Sequence, residues 1–128
     1  MPDFAYTVTT TKTFDEAVAA LQAASQAHGF RVLYTHDVQE TLAGKGFQRE
    51  PLKIIEVCNA KYASQVLEAD IGAALMLPCP ITVYTQEGQV FISTMRPSVI
   101  ADFFPEANIA DVAQEVEVHI LAIIGEAR

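Results

Sequence analysis

The 128-residue chain has no tryptophan, only two cysteines, and eight Lys and Arg against sixteen Asp and Glu. The shortage of positive charge weighs first. Nucleic-acid binding rests on clustered basic side chains that neutralise phosphates, whereas here a net charge of −8 goes with Lys and Arg scattered from Lys12 to Arg128. Nucleic acid is therefore not an expected partner, and anionic membrane surfaces are disfavoured for the same reason. No apolar run reaches the roughly 18 residues a spanning helix needs; the best stretch, 71–81, is broken by Gly72, Pro78 and Pro80. The opening MPDFAYTVTTTKTF lacks the basic region and apolar run of a secretory signal, so the expectation is a cytoplasmic protein with two free thiols. Neither Gly-x-x-x-x-Gly-Lys nor Gly-x-Gly-x-x-Gly occurs, which removes the familiar nucleotide-binding loops.

What is present is the composition of a packed globular chain: 51% of residues are hydrophobic and 19% charged. Residues 1–128 are expected to form one domain, since a chain of this length buries most of its apolar surface around a single core. Between Arg96 and Arg128 lie acids but no Lys or Arg, a pattern expected of a solvated acidic face.

Periodicity places the elements. Residues 4–10 alternate Phe4, Tyr6 and Val8 with small or polar neighbours, as a half-buried strand does. Thr13 and Glu16 match a capping box, and Ala17, Val18, Leu21 and Ala24 continue as a helical stripe to Gly29. A strand follows over 30–35, then a short helix over 38–43 opened by Asp37, then the loop KGFQREP. Leu52, Ile54, Ile55 and Val57 are apolar on both faces of a further strand, the pattern of an inner strand, and Asn59 is placed to cap the helix after it. Strands over 81–85 and 90–94 flank a Glu87-Gly88 hairpin turn. Pro97 opens a short helix to about Phe103, and Asn108 is expected to cap a long final helix. That helix is apolar so far round that the sheet alone would not cover it; a second protomer is the expected cover. Whether the first two strands run parallel or antiparallel is left open by periodicity.

Chemistry is concentrated in 52–84, which holds both cysteines. Cys58, beside a helix N-terminus, reads as a thiol whose pKa the helix dipole lowers, or else as a small buried hydrophobe. Cys79 stands between Pro78 and Pro80 on a stiffened backbone. If the two meet in the fold, a reversible disulfide, a shared metal or a persulfide site is open to them, and with His119 they would offer soft ligands to a metal. His119 shares a helical face with Val116 and Ile123, as a core histidine would, and no second ligand stands four residues away. His36 adjoins Asp37 and is placed to pair with it. Arg96 is a candidate for holding an anion, or a salt-bridge partner. Asn59 and Arg96 are thus the candidate ligand-binding residues, Cys58 and Cys79 the candidate catalytic ones.

Two segments, Val57-Cys58-Asn59-Ala60-Lys61-Tyr62-Ala63 and Leu77-Pro78-Cys79-Pro80-Ile81-Thr82-Val83-Tyr84, resemble the family called Domain of Unknown Function 302. The likeness spans nearly the whole chain. It implies a compact α+β domain with a sheet backed by helices, and homodimers. The family commonly has Cys-Asn-Pro where this chain has Cys58-Asn59-Ala60; Leu77-Pro78-Cys79 matches in full. It brings no activity, substrate or cofactor. The expectation is a two-layer α+β fold: a four- to five-stranded sheet, helices on one face, and a long, apolar C-terminal helix. The functional expectation is a homodimeric small-ligand-binding or thiol-handling module. The alternatives are a thiol enzyme or sulfur carrier, a metal-binding protein, and a structural dimer with no small-molecule site.

Overall fold

A computed structural model describes residues 1–128. In chain order the elements are β1 (Ala5–Thr10), α1 (Phe14–Ala27), β2 (Arg31–Asp37), α2 (Val38–Ala43), β3 (Leu52–Cys58), α3 (Ala60–Ala69), a 3-10 segment (Ile71–Met76), β4 (Cys79–Gln86), β5 (Gln89–Met95), α4 (Val99–Phe103) and α5 (Ala110–Ala127). Local chemistry sets many of the boundaries. Thr13 and Glu16 form the full capping box at the start of α1, and Gly29 leaves that helix at φ 77°, a conformation that costs glycine little. Asp37 and Asn59 cap α2 and α3 through the backbone N–H groups of Glu40 and Tyr62. Glu87 and Gly88, at φ 53° and 80°, make the two-residue hairpin between β4 and β5.

The sheet order is β1-β5-β4-β3-β2, with every neighbouring pair antiparallel. The question about the first two strands resolves geometrically: β1 and β2 point the same way but occupy opposite edges, so α1 carries the chain across the whole sheet. The ladder sorts side chains into two faces, because neighbours along a strand point to opposite sides. Tyr6, Val8, Val32, Ile55, Val57, Cys79, Ile81, Val83, Val90 and Ile92 face the helices and belong to or border one apolar cluster with α1 and α5. Thr7, Tyr34, His36, Leu52, Ile54, Glu56, Thr82, Tyr84, Phe91 and Ser93 lie on the other face, opposite α1 and α5.

Several expectations change. The breadth of α5 is accounted for within the chain: Ala113, Val116, Ile120, Ile123, Ile124 and Ala127 are all buried, α5 packs on α1, α3 and α4 as well as on the core, and only Val118 among its large apolar residues is exposed. Asn108 does not cap α5; the N-cap position is Ile109, with no side-chain bond. The stretch after Gly72, too short to classify by pattern, belongs to the 3-10 segment. No helix is long and apolar enough to cross a membrane.

Candidate functional site

The two cysteines meet through topology. Cys58 ends β3 and Cys79 begins β4; antiparallel pairing brings these ends together, with Val57 opposite Cys79. Both thiols are free, and they line one pocket with Phe30, Val57, Asn59, Tyr62, Ala63, Val66, Leu77, Pro97, Ile100, Ala113 and Val116. The walls are almost wholly apolar. The cavity measures about 30 Å³, room for about one or two waters and an order of magnitude below the roughly 300 Å³ at which drug-sized pockets begin.

Burial governs the thiols. It pushes the Cys79 pKa up to about 11, with the nearby Cys58 charge adding to the rise, and it also raises the less buried Cys58. Burial thus works against the thiolate that the helix N-terminus beside Cys58 would favour. Both sulfurs are protonated at neutral pH, which makes them soft, weakly polar wall groups.

Asn59 lines the pocket with its amide already engaged. Its Oδ1 accepts from Tyr62 N–H at 3.1 Å and its Nδ2 donates to the Gly29 carbonyl at 3.0 Å, so it pins the start of α3 to the exit of α1. Arg96 precedes a wall residue, Pro97, without lining the pocket itself; its guanidinium lies over the Tyr6 ring, 5.4 Å from the centroid. The expected salt bridge is absent, for both ion pairs in the chain are His–Glu. One of these corrects another expectation: His36 Nε2 pairs at 2.8 Å with Glu56 across the sheet, while Asp37 is occupied in capping α2. The other joins His28 Nε2 to Glu126 at 2.9 Å. His28 Nδ1 then lies 3.3 Å from His119 Nδ1, and the His119 ring packs beside Phe30 and Tyr62. His119 thus backs two wall residues and turns to His28 rather than to the sulfurs. No three His, Cys, Asp or Glu side chains converge on a metal-sized site.

Glu117 is a wall-supporting residue that motif reading passes over. Its half of the bond is buried, and Oε1 accepts from both Ser98 N–H at 3.2 Å and Ser98 Oγ–H at 2.7 Å, satisfying the start of α4. That contact holds Pro97 and Ile100 against the pocket. The available signal was an acid at 117 inside the 113, 116, 120, 124 stripe, where a carboxylate must have a partner.

The family model described as "Domain of unknown function DUF302" matches residues 6–127. The chain belongs to this family. A solved DUF302 protein from Bacillus stearothermophilus, described as an uncharacterized conserved protein, is similar at 28% identity with a TM-score of 0.93, over 99% of this chain and 100% of that one. No curated protein matches the chain. Membership of DUF302 agrees with the α+β architecture and assigns no reaction to the pocket.

Proposed function

We propose that this DUF302 chain is a homodimeric small-ligand-binding module, a single domain over residues 1–128, that takes a small, uncharged, largely apolar molecule beside Cys58 and Cys79. The observation that carries the reading is the shared pocket: apolar walls, two protonated thiols, and an Asn59 amide fixed by its own bonds. Its small volume favours a ligand of few heavy atoms. Free thiols fit a reducing cytoplasm. The raised thiol pKa values weigh against a resting Cys58 nucleophile, so binding is favoured over a thiol enzyme.

The test is a titration of the isotope-labelled full chain with xenon, methanethiol and ethanethiol, followed by amide chemical shifts. Saturable shifts confined to the ends of β3 and β4 and the facing turns of α3, α4 and α5 are expected, along with slower alkylation of Cys79 when the pocket is filled. Shifts scattered over the surface, or none at millimolar probe, would overturn the reading.

A further inference from the structure

The outer face of the sheet mixes polar residues with a contiguous apolar and aromatic band across β3, β4 and β5. Leu52 and Ile54 stand on β3, Tyr84 on β4 stacks with Phe91 on β5 at 5.2 Å between centroids, and Tyr34 on β2 is 60% exposed. The two largest helices, α1 and α5, pack against the opposite side. We infer that the outer face is the surface on which a second copy of this chain packs, sheet against sheet, about a two-fold axis; this rests on the proposed homodimer and names its interface.

Size is the first argument. Five strands spaced about 4.8 Å apart and about seven residues long, rising about 3.3 Å each, give a footprint on the order of 550 Å² in projection. Side chains standing off that plane enlarge the accessible area toward the roughly 800 Å² per partner of a stable complex. Charge is the second. In a chain of net charge −8, the charged residues that the register places on this face are Arg31 and Glu56, one of each sign, and Glu56 is already paired with His36. Apposing two such faces adds no block of like charge. The third argument concerns its polar groups. Ser93 and Thr7 share a hydrogen bond of 2.7 Å, and the Thr82 hydroxyl donates to the Ser93 carbonyl at 3.2 Å. Groups satisfied within their own sheet can be dried by a partner without being orphaned. A second copy fits all three observations; the exposed side of α5, with Val118 as its one large apolar residue, fits none of them.

The experiment measures the mass of the full chain by sedimentation equilibrium over a concentration range of about 1 to 100 µM. Three variants accompany it: Phe91→Glu and Thr82→Arg on the outer face, and Val118→Glu on α5, each checked for folding by circular dichroism. Thr82→Arg keeps the test sound should Phe91→Glu fold poorly. The expected result is a dimer for the unaltered chain and Val118→Glu, with self-association of both outer-face variants weakened roughly 100-fold or more, because a buried unpaired charge would sit in each half of the interface. Dimers that survive Thr82→Arg but dissociate in Val118→Glu would overturn the interface while leaving the homodimer standing. A monomer at every concentration would overturn both.

Discussion

Ile54 and Ile55 are the same side chain, one residue apart on one strand, in opposite surroundings. Ile55 faces the helices and is fully buried; Ile54 faces the uncovered side and keeps part of its surface in water. The contrast repeats across the sheet, with Ile81 against Thr82 and Ile92 against Phe91. One face is finished by the chain itself through α1 and α5. The other carries the apolar band of Leu52, Tyr84 and Phe91 and lies opposite α1 and α5, with the N-terminal residues Met1, Pro2 and Phe4 beside Thr82 and Ser93 at one end. Stability of the monomer is therefore concentrated on one side of the sheet, and the proposed association on the other.

The sharpest way to break this comparison is to shorten both isoleucines. Ile55→Ala should cost about 2–5 kcal/mol, the range for a large buried side chain whose loss leaves a cavity. Ile54→Ala should cost about 1 kcal/mol under conditions where the chain is monomeric, since a partly exposed side chain loses less transfer energy and its space borders water. Urea denaturation of both variants at low concentration checks the difference. Equal losses would mean that the two faces are equally dry.

The cysteines extend the same contrast along the ladder. Cys79 lies on the covered side and its thiol is raised to about 11, two units above its ordinary 9.0. Its alkylation at pH 8 should run about 100-fold slower than that of a free-cysteine peptide, following its thiolate fraction. Cys58, less buried, should react faster than Cys79. The sign for stability follows from the same shift. The folded state holds the Cys79 proton more tightly than the unfolded state, so the stabilisation is complete below about pH 8.5 and is lost as pH rises toward 11. The loss should reach about 2–3 kcal/mol and should be missing from the alkaline stability profile of Cys79→Ala.

Much of the fold was legible because its signals are local. Thr13 with Glu16, Asn59 before α3, and Glu87-Gly88 each specify a boundary through atoms a few residues apart, and each stands where the pattern placed it. The site was legible only in its ingredients. Cys58 and Cys79 are marked in sequence, but their meeting depends on β3 and β4 being antiparallel neighbours, a long-range property that periodicity does not carry. The helix-dipole argument for Cys58 used one local effect and had no measure of the burial that opposes it. The run Leu52, Ile54, Ile55, Val57 was legible as an inner strand, and β3 does stand between β4 and β2; which of its two apolar faces the helices take was not legible. For α5 the pattern overstated the need for a partner, because α1, α3 and α4 supply cover that no single-helix pattern can reveal.

Polar contacts offer a finer test of the two environments. Glu117 is buried and accepts two hydrogen bonds from Ser98 beneath α4. Glu117→Ala should cost about 1–3 kcal/mol, the penalty for leaving a poorly hydrated donor without its partner. It should also loosen α4, so amide hydrogen exchange should quicken in 98–104 before it quickens in β3 or β4. Uniform exchange through the chain would show that Glu117 acts on global stability and not on the pocket wall.

The smallest expected effect lies on the outer face. His36 and Glu56 are 2.8 Å apart, but their side chains are 48% and 29% exposed, so water screens the pair. In a monomeric background such as Thr82→Arg, a double-mutant cycle through His36→Ala and Glu56→Ala should give a coupling of about 0–1 kcal/mol, as exposed pairs do. The same cycle in the unaltered chain, at concentrations where two copies associate through this face, should give a larger coupling that also falls less with added salt, because drying the pair removes the screening water. Equal couplings in the two backgrounds would mean that His36 and Glu56 stay wet in both. The packing of a second copy would then have to leave the β2 edge outside the interface and be centred on β5 and β4.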